Sequence, residues 1–205
     1  MTNILRSMGS QFRKPTGLPG KLISRLMIFG NRATYDKMIS ELEIKAYDRI
    51  FEIGYGHGLG VRKISSKFDC FVSGIDYSEL MFNEATKRNR KYIENKKVEL
   101  YLGDFLDSEL ISNQYDKIFC INVIYFWDRL DKPFSKIIYG LKKGGTFCLY
   151  MVHSDDLKKA KYTQYDIFNK YTLDHVVDNL KLAGFSDIKY KFNKGYLIKC
   201  RKLTA

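Results

Sequence analysis

The chain has 205 residues, 45% hydrophobic and 28% charged, which suits one domain with a proper core rather than a disordered or fibrous chain. No apolar stretch approaches the roughly 20 residues of a membrane span. The formal charge of +12 comes from 35 Lys and Arg spread along the chain, with no run of five, so it reads first as a solvated face.

Residues 1–47 carry Arg6, Arg13, Lys14, Lys21 and Arg25, both early prolines and two helix-like stretches near 18–30 and 32–44. Leu18, Leu22, Leu26 and Phe29 fall at helical spacing, a stripe that is most often a core face. The run "LMIF" is too short for a signal peptide, and a cytoplasmic location is expected.

From residue 48 the chain alternates. A strand is predicted at 48–53, a helix at 59–68, a strand at 70–75, a helix at 78–94 and strands at 97–102 and 116–121. A helix over 131–141 is expected to end at "KKGG", followed by the strand "TFCLYMV". A helix at 172–183 stops at Gly184, and "SDIKYKF" and "YLIKC" flank the hairpin signal "NKG". Strands separated by helices predict a doubly wound parallel sheet with an antiparallel pair at its end. Cys70, Cys120, Cys148 and Cys200 each sit in or beside a strand-like run, at no metal-ligand spacing, and read as buried thiols.

The glycines sit where such a sheet binds ligands, beyond the carboxyl ends of its strands. "FEIGYGHGLG" does not fit G-x-G-x-x-G, because Leu59 and Val61 occupy the required glycine positions. It does fit E-x-G-x-G-x-G, with Glu52, Gly54, Gly56 and Gly58. Asp76 ends the second strand 22 residues after Gly54, where a carboxylate can accept both hydroxyls of a ribose. Ser78 is the better candidate for capping the helix that follows. Asp104 ends the third strand in "LGDF", and Asn122 ends the fourth.

Together these segments resemble the class I S-adenosylmethionine-dependent methyltransferases. "FEIGYGHG" is similar to the family's glycine loop, "GIDYS" to its ribose-binding acid, "GDF" to its adenine segment and "YDKIFCINVIYF" to its fourth-strand motif. The leader "GSQFRKPTG" resembles that of small bacterial members of unassigned substrate. The resemblance implies a Rossmann-like, seven-stranded, mostly parallel sheet whose last strand inserts antiparallel between the fifth and sixth. It implies S-adenosylmethionine as cofactor, held by Glu52, Gly54, Tyr55, Gly56, Gly58, Asp76, Tyr77, Met81, Gly103, Asp104, Phe105, Asn122 and Val123, with Asn31 from the leader. Residues 1–45 are expected to form a helical lid on a single domain whose cofactor core is 46–205. Residues 18–35 should lie over the methionine end, with Met27, Asn31 and Tyr35 nearest.

In-line methyl transfer needs alignment more than a fixed base, so no catalytic residue follows from the family. Tyr125 and His153 are the candidates, with Tyr125 and Trp127 expected as the acceptor wall; His57 lies inside the loop. A small molecule or short peptide is the expected acceptor. An RNA methyltransferase and a non-catalytic cofactor-binding protein are the alternatives. "NVIY" replaces the N/D-P-P-Y/F motif of base-amine enzymes, and no Pro-Cys nucleophile is present. No metal is expected.

Overall fold

The computed structural model describes residues 2–203, without the side chains of 2–4 and 25–29. Predictions for Leu26, Met27 and Phe29 therefore lie outside the described side chains. Seven strands form one sheet: β1 (Arg49–Ile53), β2 (Phe71–Asp76), β3 (Val98–Leu102), β4 (Tyr115–Ile121), β5 (Leu141–Met151), β6 (Phe185–Phe192) and β7 (Tyr196–Lys202). Their order is β3-β2-β1-β4-β5-β7-β6. β1 pairs in parallel with β2 and β4, whereas β7 runs antiparallel between β5 and β6. The doubly wound prediction and its inserted last strand describe this sheet.

Both faces of the central strands are buried, and the two-residue side-chain period assigns each residue to one of two cores. Phe51, Ile53, Ile118, Cys120, Phe147 and Leu149 belong to the core that also holds Phe134, Ile137, Val176 and Leu180. The latter four come from α5 (Asp131–Gly140) and α7 (Leu173–Leu182). Ile50, Phe119, Cys148 and Tyr150 face the opposite core, with Val61, Ile64, Ala85, Met38 and Leu42. This second face is covered by α2 (Gly17–Leu42), α3 (Leu59–Lys67) and α4 (Glu79–Glu94). Glu52 shares that face, a carboxylate among apolar side chains. All four cysteines are buried and free.

Three features differ from the sequence reading. The two leader helices are one continuous α2, because Pro19 falls within its first turn, where the missing amide costs little. A further helix, α1 (Thr2–Arg13), precedes it. α1 packs on residues 161–163, and the bare Gly9 allows this: a Cβ there would stand 2.7 Å from the Tyr162 carbonyl oxygen. "KKGG" ends no helix. It lies inside β5, where Gly144 at φ +72° accompanies a register shift against Tyr115 and Lys117.

Candidate functional site

Strand order reverses between β1 and β4, and a cavity of about 450 Å³ opens at the carboxyl ends of the strands there. Its floor comes from the β1–α3 loop. Gly54 has φ +70°, and a Cβ on it would stand 2.5 Å from Val123 Cγ2. Gly56 has φ +52° and nothing within 4 Å of its missing Cβ, so its bare backbone faces open space. That empty cradle is what a ligand pressed against the main chain requires.

Asp76 sits opposite, at the end of β2. Its Oδ2 accepts from the Gly56 amide at 2.8 Å and its Oδ1 from the Ser78 amide at 2.9 Å. One carboxylate thus ties together the two loops that bound the cavity. Burial pushes its pKa up to about 6, against the two amides that favour the charge. Ser78 takes the capping role, its Oγ accepting from the Met81 amide at 3.4 Å, which leaves Asp76 free of it. Tyr77 and Met81 line the same wall.

The far side is formed by Gly103, Asp104 and Phe105 after β3, and by Asn122 and Val123 after β4. Asp104 is exposed, and its Oδ1 accepts from the Leu106 amide at 2.8 Å, a local turn that leaves Oδ2 without a recorded partner. Asn122 adopts φ +58°, a left-handed conformation that asparagine tolerates better than most residues. Its side chain receives the Tyr125 hydroxyl at 3.1 Å and donates to Asn31 Oδ1 at 3.1 Å. Asn31 therefore touches the site through Asn122 and does not line the cavity.

Several other sequence candidates stand behind the wall. Glu52 is fully buried, its Oε1 accepting from the Tyr35 hydroxyl at 2.9 Å. Its Oε2 is buried without a hydrogen-bond partner. Burial raises the Glu52 carboxyl to about 8, outweighing the Tyr35 bond. Gly60, absent from the sequence candidates, makes this pair possible: a Cβ there would lie 2.5 Å from both Glu52 Oε2 and Tyr35 Cε1. Gly58, at φ +75°, begins α3, and a Cβ on it would meet Asn89 Nδ2 at 2.5 Å. It serves helix packing rather than the cavity. Tyr55 is buried and donates to the Tyr101 carbonyl at 2.9 Å, bracing β1 against β3. His57 is buried, its imidazole pushed down to about 4 by burial, and is not part of the cavity lining.

The acceptor-side candidates need correction. Tyr125 does not line the cavity: it is buried, and its hydroxyl donates to Asn122 and accepts from the Val152 amide. Burial raises its pKa further, which is unsuited to a base. Phe126 and Trp127 line the cavity instead. His153 caps α6 (Ser154–Lys159), its Nδ1 accepting from the Asp155 amide at 3.1 Å, and it too stands outside the cavity. Among the described residues no group of three His, Cys, Asp or Glu is placed to hold a metal.

The leader contributes through residues the sequence reading passed over. Phe12, Arg13 and Pro15, in the α1–α2 corner, line the cavity, whereas the described side chains of 18–24 and 30–35 do not. The corner is pinned to the end of β2: the Tyr77 hydroxyl donates to the Arg13 carbonyl, and Ser78 Oγ donates to the Pro15 carbonyl at 2.7 Å. The sequence signal was "FRKPTG" itself, since the prolyl residue forbids helix continuation and brings backbone carbonyls to the surface.

Comparison with known proteins assigns residues 50–145 to a methyltransferase domain family. The sterol 24-C-methyltransferase ERG6 of Saccharomyces cerevisiae is 28% identical over 107 residues, covering 52% of this chain and 28% of that protein. The phosphoethanolamine N-methyltransferase of Plasmodium falciparum is 26% identical over 162 residues, covering 76% and 60%. The chain thus spans less than two thirds of the length of each of these two curated relatives. In fold it superposes on Haemonchus contortus phosphoethanolamine N-methyltransferase 2, solved with S-adenosyl-L-methionine, with a TM-score of 0.70 at 20% identity, covering 83% of this chain and 52% of that one.

Proposed function

We propose that this chain is a class I S-adenosylmethionine-dependent methyltransferase that transfers a methyl group from S-adenosylmethionine to a small-molecule acceptor. The observation carrying this reading is the pairing of Asp76 with the open Gly56 backbone across one cavity. The donor supplies an activated methyl on a sulfonium, and the protein's task is positioning. Asp76 would accept the ribose hydroxyls, which no amide-lined site without a carboxylate does as strongly. Asp104 and Phe105 would receive the base, with Asp104 accepting an exocyclic amine. Gly54 and Gly56 would let the donor lie against the main chain, and Asn122, held in place by Asn31 and Tyr125, would shape the methyl-bearing end.

Phe12, Phe126 and Trp127 supply an apolar stretch of the cavity wall, which favours exclusion of water from the transfer. Residues 1–45 act in this reading as cover for a single domain, with the α1–α2 corner forming part of the cofactor's wall. With Asp76 and Asp104 given to the donor, Asp128 is the remaining carboxylate among the described residues of the cavity lining, and an acceptor that attacks through a neutral or already ionised atom would not need it as a base.

The test is titration calorimetry with S-adenosylhomocysteine and NAD, followed by incubation with methyl-labelled donor and separated small-molecule, peptide and RNA fractions of a cell extract. Binding of the homocysteine product and label in the small-molecule fraction are expected. Label confined to RNA would replace the acceptor class. Heat with NAD alone would sink the cofactor assignment.

A further inference from the structure

The first 35 residues contain Arg6, Arg13, Lys14, Lys21, Arg25 and Arg32 and no acidic residue; Asp36 is the first. They therefore hold half of the formal charge of +12 in about a sixth of the chain. Every ion pair among the described residues involves positions from Asp36 onward, so Arg6, Arg13, Lys14, Lys21 and Arg32 are left without an acidic partner. Lys14 rests over the Tyr77 ring at 5.4 Å, beside the cavity wall.

On the same corner, α2 presents two large apolar side chains to solvent. Leu18 is 81% exposed and Leu22, one turn on, is 64% exposed, while Ile23 turns inward. Single exposed leucines are ordinary. Two on successive turns, beside an acid-free basic segment, place apolar side chains and a cationic surround together, the pairing that docking on an anionic membrane surface uses. Among the described residues no helix is long and apolar enough to cross a membrane.

We infer that the α1–α2 corner docks on an anionic membrane surface, with Leu18 and Leu22 entering the headgroup boundary and the surrounding Lys and Arg meeting acidic headgroups. Nucleic acid would satisfy the charge but has no use for the exposed leucines. A second copy would satisfy the leucines but would oppose two basic faces. Phe12, Arg13 and Pro15 of this corner also wall the cavity, so docking bears directly on the site's cover.

The test uses the full chain with vesicles of phosphatidylcholine and with vesicles containing about a third phosphatidylglycerol. Salt-sensitive co-sedimentation with the anionic vesicles alone is expected. Leu18→Ser/Leu22→Ser should weaken it about tenfold, with unchanged circular dichroism because both side chains are exposed. Lys14→Gln/Lys21→Gln should weaken it comparably. Equal sedimentation with both vesicle types, or full binding by the leucine variant, overturns the inference. So does tighter binding to bulk RNA than to vesicles, or a dimer that the leucine variant dissociates. Vesicle binding is read without methyl transfer, so its failure is separate from failure of the proposed reaction.

Discussion

Replacing Asp76 with asparagine should move cofactor affinity and apo stability in different directions. In the folded chain the carboxylate is lifted from 3.8 to about 6, chiefly by burial, so the protein works against its charge. That lift corresponds to at most roughly 3 kcal/mol, and less with water in the cavity. Asparagine removes this penalty but has one carbonyl oxygen for two amide donors, Gly56 at 2.8 Å and Ser78 at 2.9 Å. One lost hydrogen bond costs about 1–3 kcal/mol. The two effects nearly cancel, and apo Asp76→Asn should melt within a few degrees of wild type. Binding has no such cancellation. A carboxylate accepting two ribose hydroxyls is worth roughly 2–3 kcal/mol more than an amide there, or about 30- to 150-fold in Kd. Titration calorimetry with S-adenosylhomocysteine measures this. The ligand selects the ionised carboxylate, so wild-type affinity should fall as pH drops through about 6, while the variant's stays flat. Affinity within threefold of wild type, or a pH slope kept by the variant, would refute a ribose-binding Asp76 and leave it a loop clamp.

Glu52 makes a separate pH prediction. Its carboxyl is near 8 in the fold against 4.5 unfolded, so the native state holds the extra proton between those values and this contribution to stability is lost as pH rises toward 8. Glu52→Gln should therefore gain about 1 kcal/mol or more relative to wild type between pH 5.5 and 8.5 in chemical denaturation; a constant difference would place Glu52 in its ionised form throughout. Gly60→Ala should destabilise by about 1–3 kcal/mol, because its Cβ would press on Glu52 and Tyr35. Gly56→Ala, with free space at its Cβ, should cost about 1 kcal/mol in stability through its positive φ yet weaken cofactor binding markedly. Reversal of that contrast would mean Gly56 is a packing glycine.

The sheet was legible because its strands carry apolar runs of the right length, bounded by glycine and acid at the ligand edge. Asp76, Gly54 and Gly56 were legible for the same reason: local chain geometry places strand ends and the loop that follows. What lay beyond sequence was which candidates face inward. Gly58 and Gly56 differ by two positions in one motif, yet one meets Asn89 and the other open space, because only the docked α4 decides what surrounds each. Tyr125 and Trp127 are two residues apart, and a short helical turn at Ile124–Phe126 buries the first hydroxyl against Asn122 and sets the second side chain on the cavity. Likewise Phe12 and Pro15 are held at the site by contacts far along the chain: Tyr77 and Ser78, some 60 residues away, bind the Arg13 and Pro15 carbonyls, and Phe12 stacks on Tyr162. Periodicity fixes the elements a segment forms and the face it offers, since both are local. Contacts between distant segments depend on how those faces close on one another, and that is a property of the packed chain alone.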